Sequence, residues 1–88
     1  MPDASTVPSE QAIREWLIER VAFYAERTPD TVDPDAQIVE LGLDSVYALN
    51  LCGDVEDEFG LEVEPTLGWD HPTVNAITAF LLGELGRR

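Results

Sequence analysis

Apolar residues recur along this chain at spacings of three and four, with no long apolar run, and that periodicity predicts an all-α fold. Ile13, Trp16, Leu17, Val21 and Tyr24 share one helical face, predicting a helix from Ser9 to Glu26 with Ser9 as its N-cap. Thr28-Pro29 stops it, because the residue before a proline is pushed out of the helical region. A long connection through Pro34 follows, with Val32, Ile38, Leu41 and Leu43 as expected anchors into the core. Connections of this length in so small a domain are commonly functional.

A second helix is predicted from Ser45 to Phe59, with Asp44 as N-cap and Gly60 in the left-handed conformation past the last turn. At one hundred degrees per residue, Ala48, Leu49, Cys52, Val55 and Phe59 form the expected core face. Tyr47, Asn50, Leu51, Asp54, Asp57 and Glu58 fall on the opposite arc and read as a partner-docking face. Reversing Asp54 and Asp57 to Lys is therefore expected to leave stability within about 0.5 kcal/mol. Glu56 projects onto the core arc, and the pattern gives it no partner.

Leu61 and Val63 alternate with Glu62 and Glu64, but no second strand is available to pair with them, so the segment reads as an extended connection. Pro65 to Trp69 is expected to form a single helical turn. Pro72 then starts a last helix with Val74, Ile77, Phe80, Leu81 and Leu85 on its inner side, ended by Gly86. The domain reading is a flexible lead over 1–8 and one folded unit over 9–86.

At 88 residues, a single small domain has no room for a deep active-site cleft. No apolar stretch approaches membrane-spanning length and the first eight residues lack the regions of a signal peptide, so a cytoplasmic location is expected. The single cysteine, Cys52, has no disulfide partner and reads as a small core residue. A net charge of −13, with arginine as the sole lysine-or-arginine type, repels nucleic acid and anionic membranes and favours protein partners with basic surfaces. Neither nucleic acid nor a membrane is expected as a partner.

Against this background Ser45 stands out. A nucleophilic serine needs a base within reach, and the one histidine, His71, lies in a separate Asp-His-Pro turn, so no catalytic residue is assigned. A phosphate ester on Ser45 would instead sit at a helix N-terminus, whose dipole favours an anion. Taken alone, an Asp-Ser pair opening a helix more often marks only a cap supplied by Asp44.

The surrounding motifs raise the specificity. Glu40-Leu41-Gly42-Leu43-Asp44-Ser45-Val46, then Val55-Glu56-Asp57-Glu58-Phe59-Gly60, then Asp70-His71-Pro72-Thr73 together resemble the acyl and peptidyl carrier proteins over about Ser9 to Leu85. The resemblance implies an acyl-carrier-like bundle of three main helices plus a short third helix, with a long loop between helices 1 and 2. It implies covalent 4′-phosphopantetheine from coenzyme A on Ser45, with Asp44 recognised by the transferase. The arm would carry acyl groups as thioesters, the chemistry being left to other proteins.

The Asp-His-Pro-Thr segment looks more like polyketide-type carriers than those of primary fatty acid synthesis, with a structural role expected for His71 itself. Val55-Glu56-Asp57 through Glu64-Pro65, with Trp69-Asp70, is similar to small carriers loaded by an acyl-AMP ligase in lipopeptide pathways. The implied partners are a phosphopantetheinyl transferase, an acyl-AMP ligase or acyltransferase, and a ketosynthase or condensation enzyme, acting on a monomer. From its start at Met1 and its end soon after the last helix, the chain is expected to be free-standing, an excised domain being the alternative. Trp16 is expected in the core. Trp69 is expected to pack against helices 2 and 4, with contact to the arm or its cargo as the alternative.

Three rival readings remain at the level of sequence. Asp30, Asp33, Asp35 and Glu40 could suggest a calcium loop, but the spacing lacks the ligand alternation and central glycine of an EF-hand and Pro34 interrupts it, so no metal site is assigned. These carboxylates are expected to be solvated. An acidic protein-interaction module without a prosthetic group would account for the charge but not for Ser45. A small enzyme is the third alternative.

Overall fold

The computed structural model describes residues 8–42 and 45–87. The expected lead over 1–8, apart from Pro8, therefore lies outside the described residues, as do Leu43 and the expected N-cap Asp44. Four α-helices follow in order: α1 Glu10–Ala25, α2 Ser45–Phe59, α3 Leu67–Asp70 and α4 Val74–Gly86, with 3-10 turns at Pro29–Thr31 and Ile38–Leu41 in the long connection. The all-α expectation holds, and among the described residues the one β-type contact is an isolated bridge between Gln37 and Thr73.

Local chemistry explains the helix ends. Ser9 accepts a hydrogen bond from the Ala12 amide at 3.1 Å and so caps α1 as its spacing predicts. At the far end Glu26 takes a left-handed conformation, and its amide bonds back to the last turn. The final helix begins two residues later than expected: Thr73, not Pro72, caps α4, its hydroxyl accepting from the Ala76 amide at 3.0 Å. Pro72 is used otherwise, its carbonyl accepting from the Ile38 amide at 2.8 Å. Gly60 has φ +66°, the left-handed value expected after α2.

The core is formed by Ile13, Leu17 and Val21 of α1, Leu51, Cys52 and Val55 of α2, Leu67 of α3, and Val74, Ile77, Leu81 and Leu85 of α4. Val32, Ile38 and Leu41 close it from the long connection, as expected of anchors. Each fully buried aliphatic side chain contributes about 1.5–3 kcal/mol through its removal from water. Trp16 is half-buried at the margin of this core, its ring meeting Phe59 edge-on at 5.0 Å.

Helices α1 and α2 run antiparallel, as three side-chain pairings along them show: Trp16 with Phe59, Arg20 with Asp54, and Tyr24 with Tyr47. The C-terminal end of α1 therefore lies beside the N-terminal end of α2, where Ser45 stands.

The long connection is fastened to α4 by polar groups. The Asn75 amide donates to the Pro34 carbonyl at 3.0 Å, its side-chain nitrogen donates to Asp35 at 2.6 Å, and its side-chain oxygen accepts from Arg14 Nε at 2.6 Å. Asp33 accepts from the Asp35 amide at 2.9 Å, and Glu40 with Gln37 makes a capping box at the second 3-10 turn. Asp33, Asp35 and Glu40 are exposed, as expected of solvated loop carboxylates, and each also accepts a hydrogen bond that fastens the connection leading to α2.

Candidate modification site at the start of helix 2

The approach to Ser45 is set by backbone geometry. Gly42 closes the 3-10 turn at φ +101°, a left-handed value that costs little for glycine and strains other residues, and its amide donates back to Val39. Two residues after Gly42 lie outside the described chain, and α2 then begins at Ser45 with its side chain exposed. A helix N-terminus with an exposed hydroxyl residue suits a covalently attached anion, because the dipole of the 15-residue helix stabilises negative charge there.

A second close approach brings α3 alongside. Gly68 is buried, and a Cβ placed on it would meet Ile38 Cδ1 at 3.2 Å and the Ala48 Cβ at 3.6 Å. Glycine at this point lets α3 reach both the second 3-10 turn and α2. The residue after each member of this contact is an exposed apolar side chain: Val39 (47%), Leu49 (53%) and Trp69 (61%). Val46, next to Ser45, is 60% exposed. Large exposed apolar side chains on neighbouring elements are candidates for an interaction surface.

The face expected from sequence is partly redrawn. Asn50, Asp57 and Glu58 are exposed, and Tyr47 keeps 36% of its surface while its ring lies 5.7 Å from that of Tyr24. Leu51, by contrast, is 1% exposed and belongs to the core, whereas Leu49, expected in the core, faces outward. Asp54 is half-buried and engaged: one of its oxygens accepts from Arg20 Nε at 3.2 Å and Nη2 at 3.0 Å, and also from the Tyr24 hydroxyl.

Glu56 supplies the signal that the sequence reading lacked. Its side chain is exposed and accepts from the Val63 amide at 3.1 Å, tying the extended segment after α2 back to the helix. Leu49 and Glu56 are seven residues apart and so share a face. An outward Glu56 therefore requires an outward Leu49, and the core arc rotates toward Leu51.

The Tyr24–Asp54–Arg20 cluster joins α1 to α2. The hydrogen bond that Arg20 donates to the Tyr24 hydroxyl and the nearby Asp54 charge raise the Arg20 pKa against an opposing effect of burial, and burial followed by the bond to Asp54 raises that of Tyr24. Asp54→Lys is accordingly expected to cost about 1–3 kcal/mol, since it leaves two donors without their acceptor and opposes Arg20 with a like charge. Asp57→Lys stays within about 0.5 kcal/mol, and urea unfolding of the two variants separates these outcomes.

The remaining singled-out residues have structural surroundings. Cys52 is buried, with its thiol 3.6 Å from the Glu64 carbonyl, and burial pushes its pKa up, the opposite of what a reactive thiolate needs. His71 stacks on Phe80, ring centroids 4.4 Å apart. Trp69 is largely exposed, which corrects the expectation that it packs against helices 2 and 4. Among the described residues no group of three or more His, Cys, Asp or Glu side chains is arranged to hold a metal ion.

The sequence model of the family described as "Phosphopantetheine attachment site" matches residues 15–81, from the middle of α1 to the third turn of α4. The chain belongs to that family. It is a carrier domain, a class that bears covalently attached 4′-phosphopantetheine and is not itself an enzyme.

Solved structures agree on the fold of the carrier domain. A free-standing peptidyl carrier protein from an uncharacterized Acinetobacter baumannii secondary metabolic pathway superposes with a TM-score of 0.84 at 42% identity, covering 88% of this chain and 96% of that one. The acyl carrier protein LipD from Actinoplanes friuliensis does so with a TM-score of 0.78 at 39% identity, covering 100% and 98%. Among curated proteins, the 6-methylsalicylic acid synthase of Aspergillus terreus is 36% identical over 78 residues, which is 83% of this chain and 4% of that protein. A phenolphthiocerol/phthiocerol polyketide synthase of Mycobacterium tuberculosis is 38% identical over 76 residues, again 4% of its length, so the carrier domain corresponds to a small part of either synthase.

Among the described residues, no helix of the carrier domain is long and apolar enough to cross a membrane.

Proposed function

We propose that Ser45 carries the 4′-phosphopantetheine arm and that the domain presents acyl intermediates on it, as thioesters, to the enzymes of a polyketide or lipopeptide pathway. The observation that carries this reading is the exposed Ser45 at the first position of α2, within the matched span of a family defined by this attachment. In the loading reaction the Ser45 Oγ attacks the phosphorus of coenzyme A that bears the pantetheine. The new Oγ–P bond replaces the P–O bond to the departing adenosine 3′,5′-bisphosphate, and the Oγ proton passes to a base on the transferase. Asp44 is the residue next to that atom in sequence and is proposed as part of what the transferase reads.

The docking face around Ser45 is proposed to comprise Val39, Val46, Leu49 and Trp69 as apolar contacts, with Tyr47, Asn50, Asp57 and Glu58 as the polar margin. Leu51 and Asp54 leave this set because the core and the Arg20 cluster hold them. The proposed partners are a phosphopantetheinyl transferase, an acyl-AMP ligase or acyltransferase, and a ketosynthase or condensation enzyme, meeting the domain in the cytoplasm. Likeness to part of a polyketide synthase and to a carrier of a secondary metabolic pathway supports this setting. A tether that keeps the cargo near each docked enzyme raises its effective concentration without new contacts.

The test is intact-protein mass after incubation with coenzyme A, magnesium and a broad-specificity phosphopantetheinyl transferase, followed by peptide mapping. A gain of one phosphopantetheinyl group on the peptide containing Ser45 is expected. A gain located on any other residue, or none on the folded protein, overturns the assignment.

A further inference from the structure

One further large apolar residue is exposed: Phe23, on α1, keeps 66% of its surface. It is not isolated. Its ring lies 5.4 Å from that of Tyr24, and Tyr24 lies 5.7 Å from Tyr47, so three rings form a row from the end of α1 to the first turn of α2. The row is held in place from beneath. Arg20 sits 5.0 Å from the Phe23 centroid and 5.3 Å from the Tyr24 centroid, while Asp54 binds both Arg20 and the Tyr24 hydroxyl.

Such a row has the features of an interface anchor. Aromatic side chains already fixed by their neighbours lose little entropy when a partner covers them, and buried aromatics dominate interface energetics. The exposure of Phe23 means that its ring contributes little to the core of the free domain. Beside the row, α1 and α2 frame a groove of about 230 Å³ lined by Trp16, Arg20, Asp54, Asp57 and Glu58, in which the carboxylates outnumber the single arginine.

We propose that the Phe23–Tyr24–Tyr47 row extends onto α1 the surface by which the phosphopantetheinyl transferase recognises Ser45, with Phe23 as its outer contact. The inference rests on the assignment of Ser45 as the attachment residue. Continuity argues for this occupant: an enzyme that brings a phosphorus atom to Ser45 Oγ must cover the first turn of α2, where Tyr47 begins the row. Charge argues for it too. The domain carries −13, whereas an enzyme that holds the phosphates of coenzyme A presents cations, so attraction favours the transferase over a second, equally acidic copy.

The experiment is steady-state transfer from coenzyme A by a broad-specificity transferase to the wild type, Phe23→Ala and Phe23→Tyr, with circular dichroism of each. Phe23→Ala is expected to raise KM for the carrier about tenfold with kcat within about twofold, and Phe23→Tyr to restore most of the loss, as expected when an aromatic interface anchor is removed and returned. Normal kinetics for a folded Phe23→Ala protein overturn the inference while leaving Ser45 intact. Failure of the wild type itself to accept the group overturns the underlying assignment instead. If kinetics are unchanged but wild-type self-association in sedimentation is lost in Phe23→Ala, the row's occupant is a second copy.

Discussion

Ser45→Ala is expected to abolish phosphopantetheinylation and every acyl-loading step that follows, while the thermal midpoint stays within about 2 °C of the wild type, a surface-site effect. The two halves of this expectation have separate causes. Loading depends on a single atom, Oγ, because only it can form the phosphodiester, and alanine removes that atom without changing the backbone. Stability depends on burial and caps, and Ser45 is an exposed residue at the first position of α2. Intact mass and a melting curve on the same sample read both halves. Thioester formation on the variant would refute the role of Ser45, and a collapsed melting transition would show that its hydroxyl supports the fold.

Leu51→Ala carries the largest expected cost to stability, about 2–5 kcal/mol, the range for truncating a buried leucine. Leu51 is 1% exposed, so alanine loses both the transfer free energy of the side chain and its contacts, leaving a cavity among α2 and its neighbours. Leu49→Ala, two residues away on the same helix, is expected to stay within about 0.5 kcal/mol because its side chain is 53% exposed. Small domains have total stabilities of about 5–15 kcal/mol, so Leu51→Ala removes a large part of the margin. Urea unfolding of the two variants decides the rotation of α2: equal costs, or a larger cost for Leu49→Ala, would place the wrong arc in the core. In transfer assays the order should reverse, since Leu49 stands on the proposed docking face.

Much of the architecture was legible because local and global signals agree. The spacing of Ile13, Leu17 and Val21 made α1 readable, the serine cap marked its start, and the motif around Ser45 placed the beginning of α2 at the residue where the helix begins. Gly60 was readable because a left-handed residue after a helix has few alternatives to glycine. The start of α4 was displaced because two rules compete there: proline is favoured at a first helical position, but Thr73 offers a capping hydroxyl, so the helix begins at Val74, two residues after Pro72.

The docking face was less legible because a helical wheel gives relative angles and not the direction of the core. Leu49 and Leu51 flank the same arc of α2, and hydrophobicity ranks them equally. The partner of Glu56 decides between them, and that partner, the Val63 amide, comes from a segment that has turned back on the helix. Asp54 reads as a surface carboxylate until α1 is laid antiparallel to α2, which brings up Arg20 and Tyr24 from thirty or more residues away.

By itself the sequence determined the order of the helices, the serine cap of α1, the glycine turn after α2, the net acidity and the placement of Ser45 at a helix start, all of which depend on composition or on neighbours a few residues apart. The tertiary structure alone decided which way α2 faces, that Gly68 lets α3 approach both the second 3-10 turn and α2, and that Phe23, Tyr24 and Tyr47 line up across two helices. Those features depend on contacts between distant segments, whose direction no periodicity along a single helix encodes.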